Sequence, residues 1–402
     1  MAVCLPAGAG GVPRPTAVAL LAACWDDTEG RHQAGWLQVD SSPGGAAVRV
    51  QHATEVPTRG HGLALLPDGD VLVAARRPGD WLVRLSHSQR PHWVWMEDGR
   101  QFNGHVLSWS AGADRTFGSE GCTVFTTETD TGTGHGLLGV RDVHSLEKCA
   151  EFPTHGMDPH AVLPMPAHGP GGAGQGGAHP LVGMLFVANG GIDTATETGR
   201  TPRHLDRMDP SVVCLHPTTG ELLGQWRLPD PQLSIRHLAW AHTPAGLPVL
   251  GIALQAHHPD GATRAAAPVL AVLDWQHNPQ GELRLATGQP ALAGYGGDVA
   301  VVGQGVPPHD ALRASPRQAP HEAPHFVISA TRGHALARYA LDGSYLGHIT
   351  WVDAGGLSTG QTVWAAGRLG ALRAGPTAAV GDTGAGFGHG RLDNHWLSVP
   401  VT

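Results

Sequence analysis

The chain has 402 residues, a formal net charge of −8 and only 15% charged residues. This charge argues against non-specific binding to nucleic acids or anionic membranes, and no apolar run is long enough for a transmembrane helix. The 57 glycines and 32 prolines favour tight turns and short strands over long surface helices.

The 26 histidines equal the lysines and arginines together in number, which points towards metal or proton chemistry. None of the five cysteines has CxxC spacing, so a zinc ribbon or thioredoxin-type site is not predicted, whereas Cys122 and Cys149 could pair across one sheet.

Residues 1–15 are predicted to form an N-terminal extension and residues 16–402 a single domain. The domain begins with three strand-like runs, which are "AVALLAACWDD" from Ala17, "QAGWLQVD" from Gln33 and "AAVRVQH" from Ala46. They match the second, third and fourth strands of a repeat that recurs further along the chain. A first strand is missing before them.

The recurring repeat starts with a short apolar run that carries a polar residue near its beginning. The clearest starts are "RGHGLALLP" at Arg59, "NGHVLSWS" at Asn103, "DPHAVLPMP" at Asp158 and "IRHLAWAH" at Ile235. Two weaker starts follow, "GGDVAVVG" at Gly296 and "AGGLSTG" at Ala354. Each is followed by two or three further runs of about five residues, bounded by Gly, Pro or Asp, which is typical of short strands.

Repeats of four short antiparallel strands predict an all-β fold, a single WD40-like β-propeller. Six nearly complete repeats and one partial N-terminal repeat predict seven blades, with six or eight as alternatives. We expect the ring to close by pairing the two ends of the chain in one sheet. No segment has a long 3.6-residue apolar stripe with good caps, so helices should be few.

Propeller geometry places the start of the innermost strand and the end of the second strand on one face. We therefore expect one channel mouth to be ringed by polar side chains. The predicted metal ligands are His61, His105, His160 and His237. The predicted ligand-binding residues are Arg59, Arg76, Glu128, Asn189, Arg236, Gln255, Asp298, Arg332 and Asp382. The sequence identifies no catalytic residue.

Three interpretations of the four histidines stay open at this point. They can hold a transition metal such as iron or copper, or a haem, if the channel brings two or three of them close enough. With the arginines they can instead bind a small anion. The third interpretation is structural, with each histidine bonded to the neighbouring blade.

Several stretches resemble a family of bacterial periplasmic propeller proteins that is known as a domain of unknown function. They include "TTETDTGTGHGLLGVRD", "FPTHGMDPHAVLPMP", "VANGGI" and "LSIRHLAW", and the resemblance extends from about Ala17 to the C-terminus. It implies a periplasmic location and a role in iron or haem acquisition, because the family's genes often lie beside imelysin-type iron-uptake genes. The twin-arginine export signal usual in the family is not visible here.

Two functional hypotheses follow. The first is a non-enzymatic, monomeric propeller that binds a ligand, a metal or other iron-uptake proteins at the channel mouth. The alternative is an oxidoreductase or hydrolase whose active site occupies the same mouth, since a propeller fold does not by itself determine function.

Overall fold

A computed structural model describes residues 17–42, 45–110, 122–167, 179–194, 201–303, 323–358, 363–367, 370–374 and 385–399. The regular secondary structure of the described part is almost entirely β-strand. It contains one short α-helix, α1 (Gly261–Ala266), and two single 3₁₀ turns at Leu205–Arg207 and Thr331–Gly333. The prediction that helices are few is confirmed. No helix in this part has the length and apolar character needed to cross a membrane.

Five sheets of four antiparallel strands follow one another along the chain. The first blade consists of β4 (Gly60–Leu65), β5 (Val71–Ala75), β6 (Trp81–Leu85) and β7 (His92–Trp95). The second consists of β8 (Arg100–Ser110), β9 (Cys122–Asp130), β10 (His135–Asp142) and β11 (Lys148–Met157). The third consists of β12 (Pro159–Pro164), β13 (Leu185–Asn189), β16 (Ser211–Leu215) and β17 (Leu222–Arg227), with the small hairpin β14 (Asp193–Thr194) and β15 (Pro202–Arg203) between β13 and β16.

The fourth and fifth blades repeat the pattern. The fourth consists of β18 (Leu233–His242), β19 (Pro248–Ala256), β20 (Leu270–Asp274) and β21 (Glu282–Leu285). The fifth consists of β22 (Gly296–Val302), β23 (His325–Ala330), β24 (Ala335–Ala340) and β25 (Tyr345–Thr350).

The sixth blade joins the two ends of the chain, as the sequence predicts. It is formed by β29 (Arg391–Val399), β1 (Ala17–Asp26), β2 (His32–Ser42) and β3 (Gly45–Glu55), in that order. β29 pairs antiparallel with β1, from Leu20 opposite Val399 to Asp26 opposite Arg391. The C-terminal strand therefore supplies the innermost strand that the N-terminal repeat lacks.

The prediction of seven blades is wrong, because the described residues form six. The remaining strands β26 (Val363–Gly367), β27 (Gly370–Ala374) and β28 (Ala385–Gly386) join the sixth sheet through a parallel pairing of β28 with β3. Residues 354–358, the described part of "AGGLSTG", do not form a strand of their own: they contact β26 through one bridge, Leu357 to Ala365, and a few backbone hydrogen bonds. "HWLSV", the third strand-like run of the repeat that starts at Ala354, lies in β29 of the sixth blade. β26 packs between the fifth and sixth blades: Trp364 joins the cluster of Trp25 and Trp396.

The core lies between neighbouring sheets. Successive side chains of a strand point to opposite faces, so a strand buried on both sides is apolar throughout. In β5, Val71 and Val73 pack in one cluster with Trp36 of the sixth blade. Leu72 and Ala74 pack on the other face with Phe102 of the second blade. Each blade thus covers the apolar faces of two neighbours.

The described cysteine thiols take no part in disulfide bonds. Cys24 and Cys214 are buried free thiols, and Cys149 is an exposed free thiol. Cys149, which the sequence allowed to pair with Cys122, is thus a free thiol, and the side chain of Cys122 lies outside the described part.

Candidate metal centre

The innermost strand of every blade has one interruption in its pairing register. In the first five blades the shifts fall between Gly60 and Leu63, Phe102 and Val106, Pro159 and Val162, Ile235 and Leu238, and Gly296 and Val299. In the sixth blade the shift lies in β29, opposite the part of β1 from Ala23 to Trp25. The residues inside these interruptions include His61, His105, His160, His237, Asp298 and His395. A bulge leaves a residue outside the hydrogen-bonded ladder and re-aims its side chain. Each of the six blades presents one potential metal ligand in this way.

The five histidine rings form a closed circuit. Neighbouring ring centroids are 4.1 Å apart for His61 and His395, 4.7 Å for His395 and His237, 4.6 Å for His237 and His160, 4.3 Å for His160 and His105, and 5.0 Å for His105 and His61. The four histidines singled out in the sequence therefore lie together, and a fifth joins them.

Asp298 lies beside two rings of this circuit. Its Oδ1 atom is 3.5 Å from His237 Nδ1, and its Oδ2 atom is 3.9 Å from His395 Nδ1. The backbone N–H groups of Val299 and Leu357 each donate to the carboxylate at 2.8 Å. These bonds fix the carboxylate against the histidines.

Two glycines allow the first and second blades to approach closely enough. Gly104 has a φ of +100°, and a Cβ atom there would lie 2.7 Å from His61 Cδ2. A Cβ atom on Gly62 would lie 2.3 Å from the carbonyl oxygen of Gly104. The sequences "GHG" and "NGH" thus leave room for two imidazoles to meet.

The protein environment keeps the histidines neutral. Burial is the largest cause, followed by the charges of neighbouring groups, and it lowers the pKa of His61, His105, His160 and His237 well below the ordinary value. It lowers the pKa of His395 to about 3, and it raises the pKa of Asp298 to about 7. Neutral imidazole is the form that binds metals.

Three buried ring nitrogens of the circuit lack a hydrogen-bond partner among the described residues. They are His61 Nδ1, His105 Nε2 and His160 Nδ1. Buried polar atoms in folded proteins are usually paired, so each such atom calls for an explanation such as a bound ion or water. Three overlapping sets of ligand atoms lie mutually within 4.8 Å; they are His61–His105–His395, His105–His160–His237 and His237–Asp298–His395.

A cavity of about 100 Å³ opens onto the circuit. Beside the histidines, its lining includes Arg76, Arg77, Arg236, Gln255 and Tyr295. Three of the predicted ligand-binding residues, Arg76, Arg236 and Gln255, therefore lie beside the histidine circuit.

Two other predicted arginines are engaged elsewhere. Arg59 donates from Nε and Nη2 to the two carboxylate oxygens of Asp393, each at 2.5 Å. The guanidinium of Arg332 lies 4.4 Å from the centroid of the Tyr295 ring, and Arg332 is exposed. Neither lines the cavity.

Glu128 and Asn189 are buried between strands. Glu128 is ion-paired with Arg141 at 2.8 Å and with Lys148 at 2.7 Å. The amide of Asn189 donates to the Thr154 carbonyl at 2.7 Å. Both residues therefore tie strands together and do not line the cavity. Asp382 lies outside the described residues.

The sequence interpretation missed His395, Arg77 and Asp158. The stretch "NHWLS" at Asn394 does resemble "NGHVLS" at Asn103, which is a signal that could have identified His395. Asp158 is 4% exposed and pairs with Arg236 at 2.8 Å and also with Arg77. The segment "DPH" places this carboxylate two residues before His160.

A cluster of three carboxylates on the second blade also has metal-ligand spacing. It consists of Glu97, Glu128 and Glu151. Lys148 contacts all three, and Arg100 makes two hydrogen bonds to Glu151. Because its charge is already matched by cations, this cluster is a structural ion-pair network.

The fold and the site together define a six-bladed β-propeller with a histidine-rich centre that could bind a metal. Residues 54–399 match the family described as "Protein of unknown function (DUF1513)", and the chain belongs to that family. No curated protein matches its sequence.

Solved structures show the same fold at low sequence identity. Hydrazine synthase of Kuenenia stuttgartiensis is 12% identical, with a TM-score of 0.53, over 84% of this chain and 92% of that one. A candidate 6-phosphogluconolactonase of Bacteroides uniformis is also 12% identical, with a TM-score of 0.51, over 95% of this chain and 99% of that one. These likenesses concern the fold alone.

Proposed function

We propose that this protein is a transition-metal-binding propeller. The histidine circuit and Asp298 hold one first-row ion, such as iron or copper, between the six blades. The observation that carries the proposal is the convergence of five neutral imidazoles, four of them buried and that of His105 half-buried, three of which have a ring nitrogen without a partner among the described residues. Imidazole suits copper, iron and zinc, whereas magnesium and calcium prefer oxygen ligands.

The dimensions of the cavity favour a bare ion over a haem. Pockets for organic ligands typically enclose roughly 300–1,000 Å³, and the cavity here has about 100 Å³. An ion with one or two small ligands fits that space. A role in periplasmic iron acquisition, alongside other iron-uptake proteins, is part of this proposal and is supported by the family resemblance.

A redox enzyme is the second candidate function, and one set of residues favours it. His237, Asp298 and His395 offer two imidazoles and one carboxylate, the donor types that non-haem iron(II) oxygenases use. Turnover of an oxidant by the iron-loaded protein would support an enzyme, and stoichiometric binding without turnover would support the binding role.

Metal analysis of purified protein tests the proposal. The wild type, incubated with Fe(II), Cu(II) or Zn(II) and then desalted, should retain about one equivalent of at least one ion. His105→Gln/His237→Gln should lose it, because each of the three overlapping ligand sets contains at least one of these two residues. His92→Gln is the matched control, since His92 is exposed on the first blade.

A second measurement separates loss of the site from loss of the fold. Circular dichroism should show the same β-structure in all variants. The bound ion should raise the unfolding temperature of the wild type and of His92→Gln only. At a metal concentration one hundred times the Kd, the corresponding gain in the free energy of unfolding is roughly 2.7 kcal/mol. Equal metal content in the double variant and the wild type would overturn the proposal.

A further inference from the structure

Arginine side chains are prominent in the lining of the cavity above the histidine circuit. Three guanidinium groups line it, those of Arg76, Arg77 and Arg236. One carboxylate, that of Asp158, pairs with both Arg77 and Arg236. A metal cation at the histidines would add further positive charge, so the cavity is suited to an anion.

Arg236 is the most informative of these groups. It is 2% exposed, and its Nη1 atom donates to Asp158 Oδ2 at 2.8 Å. Its Nε atom is buried and has no partner among the described residues. A buried guanidinium loses its hydration and needs acceptors for its N–H groups. The described side chains around Arg236 therefore supply no acceptor for its Nε–H, and this donor can bind a ligand in the cavity.

The position of Arg236 in the chain couples it to the histidine circuit. It precedes His237, and both residues lie in the same register interruption between Ile235 and Leu238. Both also line the same cavity. A ligand in this space can therefore meet a guanidinium and the centre that His237 helps to form.

The volume of the cavity limits the size of that ligand. About 100 Å³ corresponds to roughly three water molecules at about 30 Å³ each. Planar oxyanions with three or four heavy atoms match this space. They also match a guanidinium, which binds two oxygens side by side.

We propose that the metal centre and Arg236 together form a binding site for a small planar oxyanion of the size of formate, nitrite or bicarbonate. The inference rests on the proposed metal-binding function. A metal held by the histidines would supply a positive charge and Lewis acidity, and Arg236 would supply the N–H donors, so that one anion would contact both.

The test uses the Co(II)-loaded protein, because the visible spectrum of cobalt reports a change in its ligands. Formate, added at constant ionic strength, should change the spectrum and reach saturation. Formamide has a similar shape without the charge and should leave the spectrum unchanged. Benzoate should also leave it unchanged, because it is too large for the cavity. A cobalt spectrum that forms normally but does not respond to formate would overturn the inference and leave the metal proposal standing.

Two variants assign the effect to Arg236. Arg236→Lys keeps a positive charge beside Asp158 but removes the Nε donor, and it should weaken formate binding about tenfold. Arg332→Gln is the control, since this exposed arginine lies against Tyr295 without lining the cavity, and formate binding should be unchanged. Equal formate affinity in Arg236→Lys and the wild type would show that Arg236 does not contact the bound anion.

A separate measurement covers the case in which neither cobalt nor iron, copper or zinc is bound. The proposed function then fails, and the unfolding temperature of the metal-free protein is compared with and without formate. Stabilisation of the wild type but not of Arg236→Lys would support an anion site formed by arginine alone. No stabilisation in either protein would overturn the anion site as well.

Discussion

His61 and His395 are 334 positions apart in the chain, yet their Nε2 atoms are 3.1 Å apart. One of the two nitrogens donates the proton and the other accepts it, so both rings are held in a shared orientation. His61 belongs to the first blade and His395 to the sixth. Their contact completes the circuit of rings where the propeller closes.

Replacing His395 should therefore damage metal binding directly. His395→Gln removes a nitrogen from two of the three ligand sets. Loss of groups that only support a ligand costs about 10–100-fold in affinity, so we expect a loss of at least about 100-fold. A competition titration against a chelator measures it. His389→Gln, at an exposed position in the turn before β29, should bind like the wild type; an equal loss there would show that the titration reports surface histidines.

Adding a methyl group at Gly104 should destabilise the fold and distort the site. A side chain at a φ of +100° is strained, and the new Cβ atom would lie 2.7 Å from the ring of His61. We expect Gly104→Ala to lower the free energy of unfolding by about 2 kcal/mol or more. Urea denaturation measures the change.

Gly99 provides the matched control for this substitution. It also has a positive φ, of +77°, but nothing lies within 4 Å of its added Cβ atom. Gly99→Ala should cost about 1 kcal/mol, from backbone strain alone. If Gly104→Ala and Gly99→Ala lowered the free energy of unfolding equally, the close approach of the two blades at Gly104 would contribute nothing to the cost.

The ion pair of Glu151 and Arg100 should make stability depend on pH in the acid range. The Arg100 hydrogen bonds lower the pKa of Glu151 from its ordinary 4.5 to about 2. Because the folded-state pKa is lowered, the stabilisation is complete above about pH 4.5 and disappears as the pH falls towards 2.

Glu151→Gln should therefore cost stability at neutral pH and not in acid. Since both side chains are about one quarter exposed, we expect only about 1 kcal/mol at pH 7. Unfolding free energies of the wild type and the variant should converge towards pH 2. Glu147→Gln, an exposed residue in the preceding turn, should show no such convergence. A difference that is independent of pH would contradict the assignment.

The pair of Arg59 and Asp393 should stabilise the junction of the first and sixth blades. The side chain of Asp393 is 2% exposed and that of Arg59 is 25% exposed. Removing one partner of a buried ion pair leaves the other unpaired, so Asp393→Asn should cost about 2 kcal/mol. A double-mutant cycle with Arg59→Gln isolates the interaction, and a coupling energy near zero would refute it.

Much of the site could be predicted from the sequence because the repeat is visible in it. The segments around His61, His105, His160 and His237 share a pattern, and a repeated position in a propeller faces a common centre. The sequence does not single out His395, because the run that contains it reads as the third strand of the repeat that starts at Ala354. Only its pairing with β1, at the other end of the chain, makes it an innermost strand.

Residues at the ends of second strands were predicted less well. Gln255 lines the cavity, whereas Glu128 and Asn189 point into contacts between strands. The direction of such a side chain depends on the partner that reaches it from a neighbouring strand, as Arg141 and Lys148 reach Glu128. The local sequence around Glu128 does not contain that information.

The register interruptions of the six innermost strands should allow the potential ligand residue of each blade to be replaced independently of the others. Every donor is attached through the same local device, and the ladders on either side of it hold the backbone in place. A cysteine, methionine or aspartate could therefore replace one histidine at a time while the other five blades kept their pairing. Such a series of variants would change the donor atoms of the centre one position at a time, and with them the metal that the centre prefers.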